Sequence, residues 1–207
     1  NTAVGYGTEN LYFQGGVYRN GFGNWLNEGL ALNDAGFHKT NLSLTWMSGK
    51  ISYTQQLSML GSTSAFNGAI ESLGAGKILG FHAISYEPAE WFDFSFYEAT
   101  VIGNRFDICT LLPVPYMISE ELTGAGDGVF MGLAFNVKPF SGFTWSKDIM
   151  VDDFPVDEFL KANFDSKYRL AAKTGLIWTP EESFVEKVGV SFVAVTPYTY
   201  SHWEYDT

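Results

Sequence analysis

Hydrophobic and polar residues alternate along much of the chain, the period-two pattern of a half-buried β-strand. The clearest stretch is WFDFSFYEATVIG, residues 91–103. Its two rows are Phe92, Phe94 and Phe96 on one side and Asp93, Ser95 and Tyr97 on the other. Gly103-Asn104 predicts a tight turn, and the alternation that resumes over 106–112 predicts a returning strand. The stretch 91–112 is therefore predicted to be a β-hairpin with an apolar outer face.

The same alternation predicts a succession of further strands, separated by short turns and loops. They cover residues 41–46, 51–59, 78–86, 129–137, 143–151, 167–178 and 187–196, with a weaker candidate at 25–32. Short helices are predicted at 116–122 and 155–163. In an up-and-down meander every second connection lies at the same end, so both helices are expected beside the turns at Ser48-Gly49 and 87–90.

The amino-acid composition argues against placing the apolar rows on a water-exposed surface. Aromatic residues and charged residues each make up 17% of the chain, whereas soluble domains usually carry roughly 25% charged residues. The formal net charge of -11 disfavours nucleic acid as a partner. Cys109 is the only cysteine, which excludes an internal disulfide framework. No apolar run reaches the length of a transmembrane helix, but transmembrane strands need only about 9–11 residues.

Two architectures predict the same alternation. In a membrane β-barrel the phenylalanine row faces lipid and the aspartate row faces the lumen. In a soluble β-sandwich the phenylalanine row is core and the aspartate row is solvated surface. The scarcity of charge favours the barrel, because a solvated face normally carries many Lys and Glu residues. The predicted fold is an all-β antiparallel up-and-down meander, closed as a transmembrane β-barrel, with short helices at one end.

Residues 9–15, ENLYFQG, match a TEV-type protease cleavage site of the kind used in engineered proteins. We interpret 1–15 as a tag, an engineered segment or a flanking segment. Residues 1–7 are either part of the tag or a native strand. Residues 16–207 are predicted to form a single barrel domain, either complete or incomplete.

Several segments together resemble the Wzi-type outer-membrane capsule-assembly barrels. They are KILGFHAISYEP (77–88), Phe96-Tyr97-Glu98 with Gly103 and Arg105, the break at Pro113, Met150-Val151-Asp152-Asp153, and YTYSHW (198–203). The resemblance implies a barrel in the bacterial outer membrane, with short helices at its periplasmic end, that binds surface polysaccharide and has no catalytic centre. It also implies outer-membrane lipid as a partner. The two alternatives are a small porin-like transport channel and a soluble β-sandwich that binds carbohydrate.

Four side chains on or beside one hairpin, Tyr97, Arg105, Asp107 and Trp145, are candidates for a lumen or mouth patch in which aromatic faces stack on sugars and charged groups bind hydroxyls. Asp93 belongs to the same inward row as Tyr97 and is a further candidate. The carboxylates of Asp148 and Asp152 are candidates for binding a cation or sugar hydroxyls. Ordinary interior packing and ion pairing explain the same residues. Three scattered histidines lack metal-ligand spacing, and the pairs 120–121 and 181–182 are adjacent carboxylates that do not suit a glycosidase. We expect no enzymatic activity, no metal and no cofactor.

Overall fold

In a computed structural model, the chain forms one antiparallel sheet of ten strands in the order β1 to β10. The structure describes residues 1–23, 29–36, 38–60, 77–103, 106–123, 128–152, 169–181, 184–197 and 199–200. The strands are β1 Thr2–Gly7, β2 Leu11–Tyr18, β3 Lys39–Ser48, β4 Ile51–Leu60, β5 Lys77–Ala89, β6 Phe92–Gly103, β7 Gly128–Phe140, β8 Phe143–Asp152, β9 Arg169–Trp178 and β10 Val188–Val195. Each strand pairs with its neighbours in sequence, and this described sheet is open at β1 and β10. The all-β antiparallel meander is confirmed.

The two faces of the sheet differ in what covers them. The inner face is the one that Tyr97 and Asp148 share, and residues of the β2–β3 connection pack on it. We call residues 19–23 and 29–36 of that connection the plug. The outer face is the opposite one, which carries Phe92, Phe94 and Phe96. Because side chains alternate along every strand, the register assigns each strand residue to one face.

The hydrophobic core lies on the inner face, between the sheet and the plug. Leu32 of the plug is 2% exposed and belongs to the same buried cluster as Phe81, Tyr97 and Met150. The ring of Phe22 lies 5.0 Å from that of Phe81 and 5.9 Å from that of Tyr97. Each fully buried side chain of this kind contributes about 1.5–3 kcal/mol, so the plug is held by apolar packing.

The predicted hairpin over 91–112 is half right. Phe92–Gly103 is strand β6, but residues 106–112 are not a strand, and Ile108–Leu111 form a 3-10 helix. Asp107 caps that helix by accepting a hydrogen bond from the Cys109 backbone N–H (2.9 Å). This local capping competes with strand pairing. The partners of β6 are β5, joined through the turn at 90–91, and β7.

Because residues 106–112 are not a strand, the first predicted helix lies at the opposite end of the sheet from the one expected. The short connections 8–10, 49–50, 90–91 and 141–142 all lie at one end of the sheet, which we call the short-turn end. Gly49 and Gly142 supply the positive φ angles (57° and 73°) of two of these turns. The helix α1, Tyr116–Thr123, is confirmed but lies at the opposite end, with the long connections. The predicted helix 155–163 lies outside the described residues.

The start of the chain forms two strands: β1, which lies in the segment interpreted as either tag or native strand, and β2, which sequence patterns did not predict. β1 and β2 pair in continuous register, and β2 contains most of the protease-site match. The weak strand candidate 25–32 is not a strand in its described part, where an isolated bridge joins Leu32 to Phe22. The described residues contain no helix that is long and apolar enough to cross a membrane.

Candidate functional site

Tyr97 and Asp148 are the two predicted site residues that the fold brings into direct contact. The Tyr97 hydroxyl donates a hydrogen bond of 2.7 Å to Asp148 Oδ1, and both side chains are buried on the inner face. Gly132 lies opposite Tyr97 in β7 and makes room for its ring, because a Cβ there would lie 2.1 Å from Tyr97 Cζ. Asp148 Oδ2 also accepts a bond of 3.1 Å from the Leu30 backbone N–H of the plug. Asp148 therefore ties the plug to the sheet.

Asp93 and Asp152 lie on the same inner face, nearer its two ends. The Asn136 side-chain amide donates to both carboxylate oxygens of Asp93, at 2.9 and 3.2 Å, and Asp93 is half-buried. Asp152, at the end of β8, is fully buried and accepts a bond of 2.7 Å from the Tyr200 backbone N–H. Burial raises the pKa of Tyr200 to about 12, and Asp148 and Asp152 act in the same direction.

The remaining candidates do not join this group. Trp145 lies on the outer face, where its indole N–H donates to Thr174 Oγ1 (2.9 Å) and its ring packs edge-on against Phe135. Asp107 lies outside the strands and caps the 3-10 helix. Arg105 lies outside the described residues. The prediction that Tyr97, Arg105, Asp107 and Trp145 form one patch is therefore wrong for its three described members. Tyr97 lies on the inner face, Trp145 on the outer face and Asp107 outside the strands.

A pocket of about 390 Å³ opens beside Asp93 at the short-turn end of the inner face. Its floor is a row of three serines from neighbouring strands, Ser52, Ser85 and Ser95, which we call the serine row. The hydroxyls of Ser85 and Ser95 lie 2.7 Å apart. Phe22 of the plug forms an apolar wall, and Lys50 and Glu87 lie at the rim.

The chemistry of this pocket suits a polyhydroxylated ligand. Serine hydroxyls both donate and accept hydrogen bonds, and a carboxylate accepts several. The volume falls within the roughly 300–1,000 Å³ of small-molecule sites. No group of three His, Cys, Asp or Glu side chains with the arrangement of a metal site occurs in the described parts of the chain. Hydrogen bonding to hydroxyls beside an aromatic wall is the recognition that the geometry offers.

Sequence reasoning missed a second polar cluster, which lies on the outer face. Gln55, His82 and Glu98 occupy directly paired positions in β4, β5 and β6. A hydrogen bond of 2.8 Å joins His82 Nε2 to Glu98 Oε2, and both side chains are buried. The signal was available, because His82 and Glu98 interrupt the apolar rows of both strands.

Residues 106–116, which we call the strap, cover this cluster. The Tyr116 backbone N–H donates to Glu98 Oε2 (2.8 Å), the Tyr116 ring stacks on His82 at 4.3 Å, and Gln55 Nε2 donates to the Tyr116 hydroxyl (2.8 Å). Gln55 also donates to the Thr110 carbonyl. Burial raises the pKa of Tyr116 above its ordinary value, so its hydroxyl stays protonated. The strap supplies partners that polar groups on an apolar face require.

The comparisons with known proteins return no relatives. No family model matches the chain, and neither a curated protein nor a solved structure is significantly similar to it. The resemblance to Wzi-type barrels therefore stays an expectation that rests on the quoted residues alone.

Proposed function

We propose that the chain is an outer-membrane β-barrel that engages cell-surface polysaccharide without catalytic turnover. The observation that carries the proposal is an apolar outer face that has exposed side chains on all ten described strands, outside the part that the strap covers. One exposed member from each strand is Val4, Phe13, Leu44, Ile51, Ile84, Phe94, Leu133, Trp145, Leu176 and Phe192, with exposures from 37% to 78%. Monomeric soluble proteins rarely expose contiguous apolar patches larger than a few hundred Å².

The position of the plug argues against the soluble sandwich. A sandwich buries its apolar face against a second layer, but here the covering segment packs on the inner face and leaves the phenylalanine row of β6 in part exposed. In the ten described strands, the outer face carries two charged side chains, Glu98 under the strap and Lys147. Strands β3–β9 have 10–13 residues, enough to span a bilayer at the usual tilt.

Closure of the sheet requires β1 to pair with β10, because open edges are not tolerated in lipid. In a ten-strand meander these two strands are antiparallel, and bacterial barrels have even strand numbers. Such pairing would place Tyr6 beside the outer-face residues of β10. We expect Tyr6→Cys to form a disulfide with Val188→Cys, Val190→Cys or Phe192→Cys in membranes. Failure of all three pairs would contradict closure through β1.

Glycan binding is favoured over the pore because of the plug. Phe22 and Leu32 pack into the inner-face core and the Leu30 backbone bonds to Asp148, so apolar packing occupies the space that a channel would need. Short turns face the periplasm in bacterial barrels. The serine-row pocket would then receive a glycan from the periplasmic side, and α1 would lie at the extracellular end, opposite to the placement that the family resemblance implies.

Extraction and binding measurements test the proposal. The full chain should remain in the membrane fraction until detergent is added and should migrate differently on gels before and after heating. Full solubility in buffer without detergent would contradict the barrel. The detergent-solubilised protein should bind members of a glycan array, and an array without hits would contradict polysaccharide binding. Stepwise conductance across planar bilayers would favour the pore instead.

A further inference from the structure

We infer that the serine-row pocket selects neutral and amino-bearing sugars over acidic ones and that Asp93 is the selecting group. The inference rests on the proposed glycan-binding function and adds the class of sugar. Its basis is the position of one half-buried carboxylate beside a floor of hydroxyl groups.

Asp93 is held in place but keeps unused hydrogen-bonding capacity. Both of its oxygens accept from the Asn136 amide, at 2.9 and 3.2 Å, and Ser146 Oγ donates to Asn136 Oδ1 at 2.6 Å, which fixes the amide orientation. An ionised carboxylate offers about four acceptor positions. The remaining positions suit hydroxyl or ammonium donors of a ligand.

The other polar groups of the floor do not discriminate charge. Ser52, Ser85 and Ser95 carry hydroxyls that donate or accept as the ligand requires. They explain affinity for sugars in general. Selection among sugars must therefore come from the charged groups around the floor.

The cations near the pocket are less effective than Asp93. Lys50 is exposed at the rim and its ammonium donates to the Pro88 carbonyl, and Glu87 of opposite sign lies next to it. Lys138, on β7, is also exposed. Exposed charges are screened by salt much more than partly buried ones. A sugar carboxylate placed on the floor would meet Asp93 at short range, and none of the described residues that line the pocket is a buried cation that could compensate it.

The test compares three oligosaccharides of equal length: a glucosamine oligomer, its N-acetylated form and an oligogalacturonate. Binding is measured by calorimetry on the detergent-solubilised full chain at physiological salt. The wild type should bind the amino and the neutral oligomer and bind the acidic one most weakly. Asp93→Asn, which has nearly the same shape, should lose about 10- to 100-fold of the affinity for the amino oligomer, the range for a hydrogen bond to a charged group, and should retain the neutral one.

Two further variants make the outcome decisive. Glu186→Gln removes an exposed acid between β9 and β10 and should leave all three affinities unchanged. Ser85→Ala should weaken all three oligomers to a similar extent, which locates the site at the serine row. An unchanged ranking in Asp93→Asn, or equal affinity of the wild type for acidic and amino oligomers, would overturn the inference alone. No binding of any oligomer would overturn the proposed glycan function as well.

Discussion

One row of paired residues on each face of the sheet shows how differently the two faces are built. On the outer face, register connects Leu11, Trp46, Tyr53, Ile84, Phe96, Leu133, Ile149 and Ala172 across eight strands. On the inner face, it connects Ser52, Ser85, Ser95, Ala134, Asp148 and Lys173. The plug covers the inner face. If the solvent around the outer face is itself apolar, as the interior of a bilayer is, the side chains of the outer row need no cover.

The two buried polar groups sharpen this contrast. On the inner face, Asp148 is bonded by Tyr97 and the plug and lies directly across from the buried Lys173. On the outer face, His82 and Glu98 are covered by the strap, which reaches them from outside the strands. The His82–Glu98 pair on the outer face thus has a dedicated cover, whereas large apolar side chains of the same face such as Leu133 and Ile149 are exposed.

The largest expected effect comes from placing a charge in the outer row. Leu133, at the middle of β7, is 52% exposed. In a bilayer, Leu133→Arg should lower the free energy of unfolding by about 2–4 kcal/mol, whereas Leu133→Met should change it little. Unfolding by guanidinium in lipid vesicles measures the difference. A loss below about 0.5 kcal/mol, typical of a surface position in water, would contradict a lipid-facing row.

Removing the charge under the strap should have the next largest effect. Glu98→Gln replaces an acceptor of two hydrogen bonds and should cost roughly 1.5–3 kcal/mol. Cys109, the single cysteine, lies in the strap, and a hydrogen bond with Asp107 raises the pKa of its thiol. Maleimide should label Cys109 faster in Glu98→Gln than in the wild type or in the exposed turn variant Glu90→Gln. Equal labelling rates in all three proteins would show that Glu98 does not hold the strap.

On the inner face, the sensitive position is Gly132. Gly132→Ala would place a Cβ against the buried Tyr97 ring and should destabilise the protein by about 1–3 kcal/mol. Gly15→Ala is a matched strand control, since its Cβ would meet only Leu42 Cδ1, at 3.4 Å, and the Asn41 carbonyl, at 4.0 Å. Thermal unfolding of the two variants checks the expected order, and a similar loss in both would argue against tight packing of Tyr97.

The smallest effect should be a dependence on alkaline pH. The pKa of Tyr200 is raised to about 12 in the folded chain from an unfolded value near 10, so folding favours the neutral phenol. The associated stability is complete below about pH 10 and is lost as pH rises through about 12. Tyr200→Phe should therefore lose less stability than the wild type between pH 10 and 12. Parallel curves for the two proteins would contradict this contribution.

Strand patterns in the sequence predicted most of the sheet because alternation is a local property. β3–β10 begin and end within a few residues of the predicted bounds. The errors have physical causes. Residues 106–112 alternate over too few positions to outweigh the Asp107 cap and Pro113, and β1 and β2 were set aside because a protease-site match interrupts them. The patterns indicate ten strands when residues 106–112 and the weak candidate 25–32 are included, and the sheet has ten because β1 and β2 stand in their place.

The site was predicted less well than the sheet because sites depend on non-local register. The alternation in β6 and β8 correctly put Asp93, Tyr97 and Asp148 on one face. The same alternation put Trp145 on the apolar face of β8. Trp145 was grouped with Tyr97 only because both were expected to lie on or beside one hairpin. The plug, whose Phe22 and Leu30 complete the inner-face site, comes from a connection without a repeating pattern. Nothing local in that segment shows what it covers.

The most direct test of the two-face account places one tryptophan on either side of β8. A protein with Trp145 as its single tryptophan is compared with one in which Trp145→Phe is combined with Thr144→Trp, the adjacent inner-face position. Both are reconstituted with lipids that carry bromine on their acyl chains. We expect strong quenching of Trp145 fluorescence and weak quenching at position 144. Equal quenching at the two positions, or none at Trp145, would contradict an outer face that meets lipid.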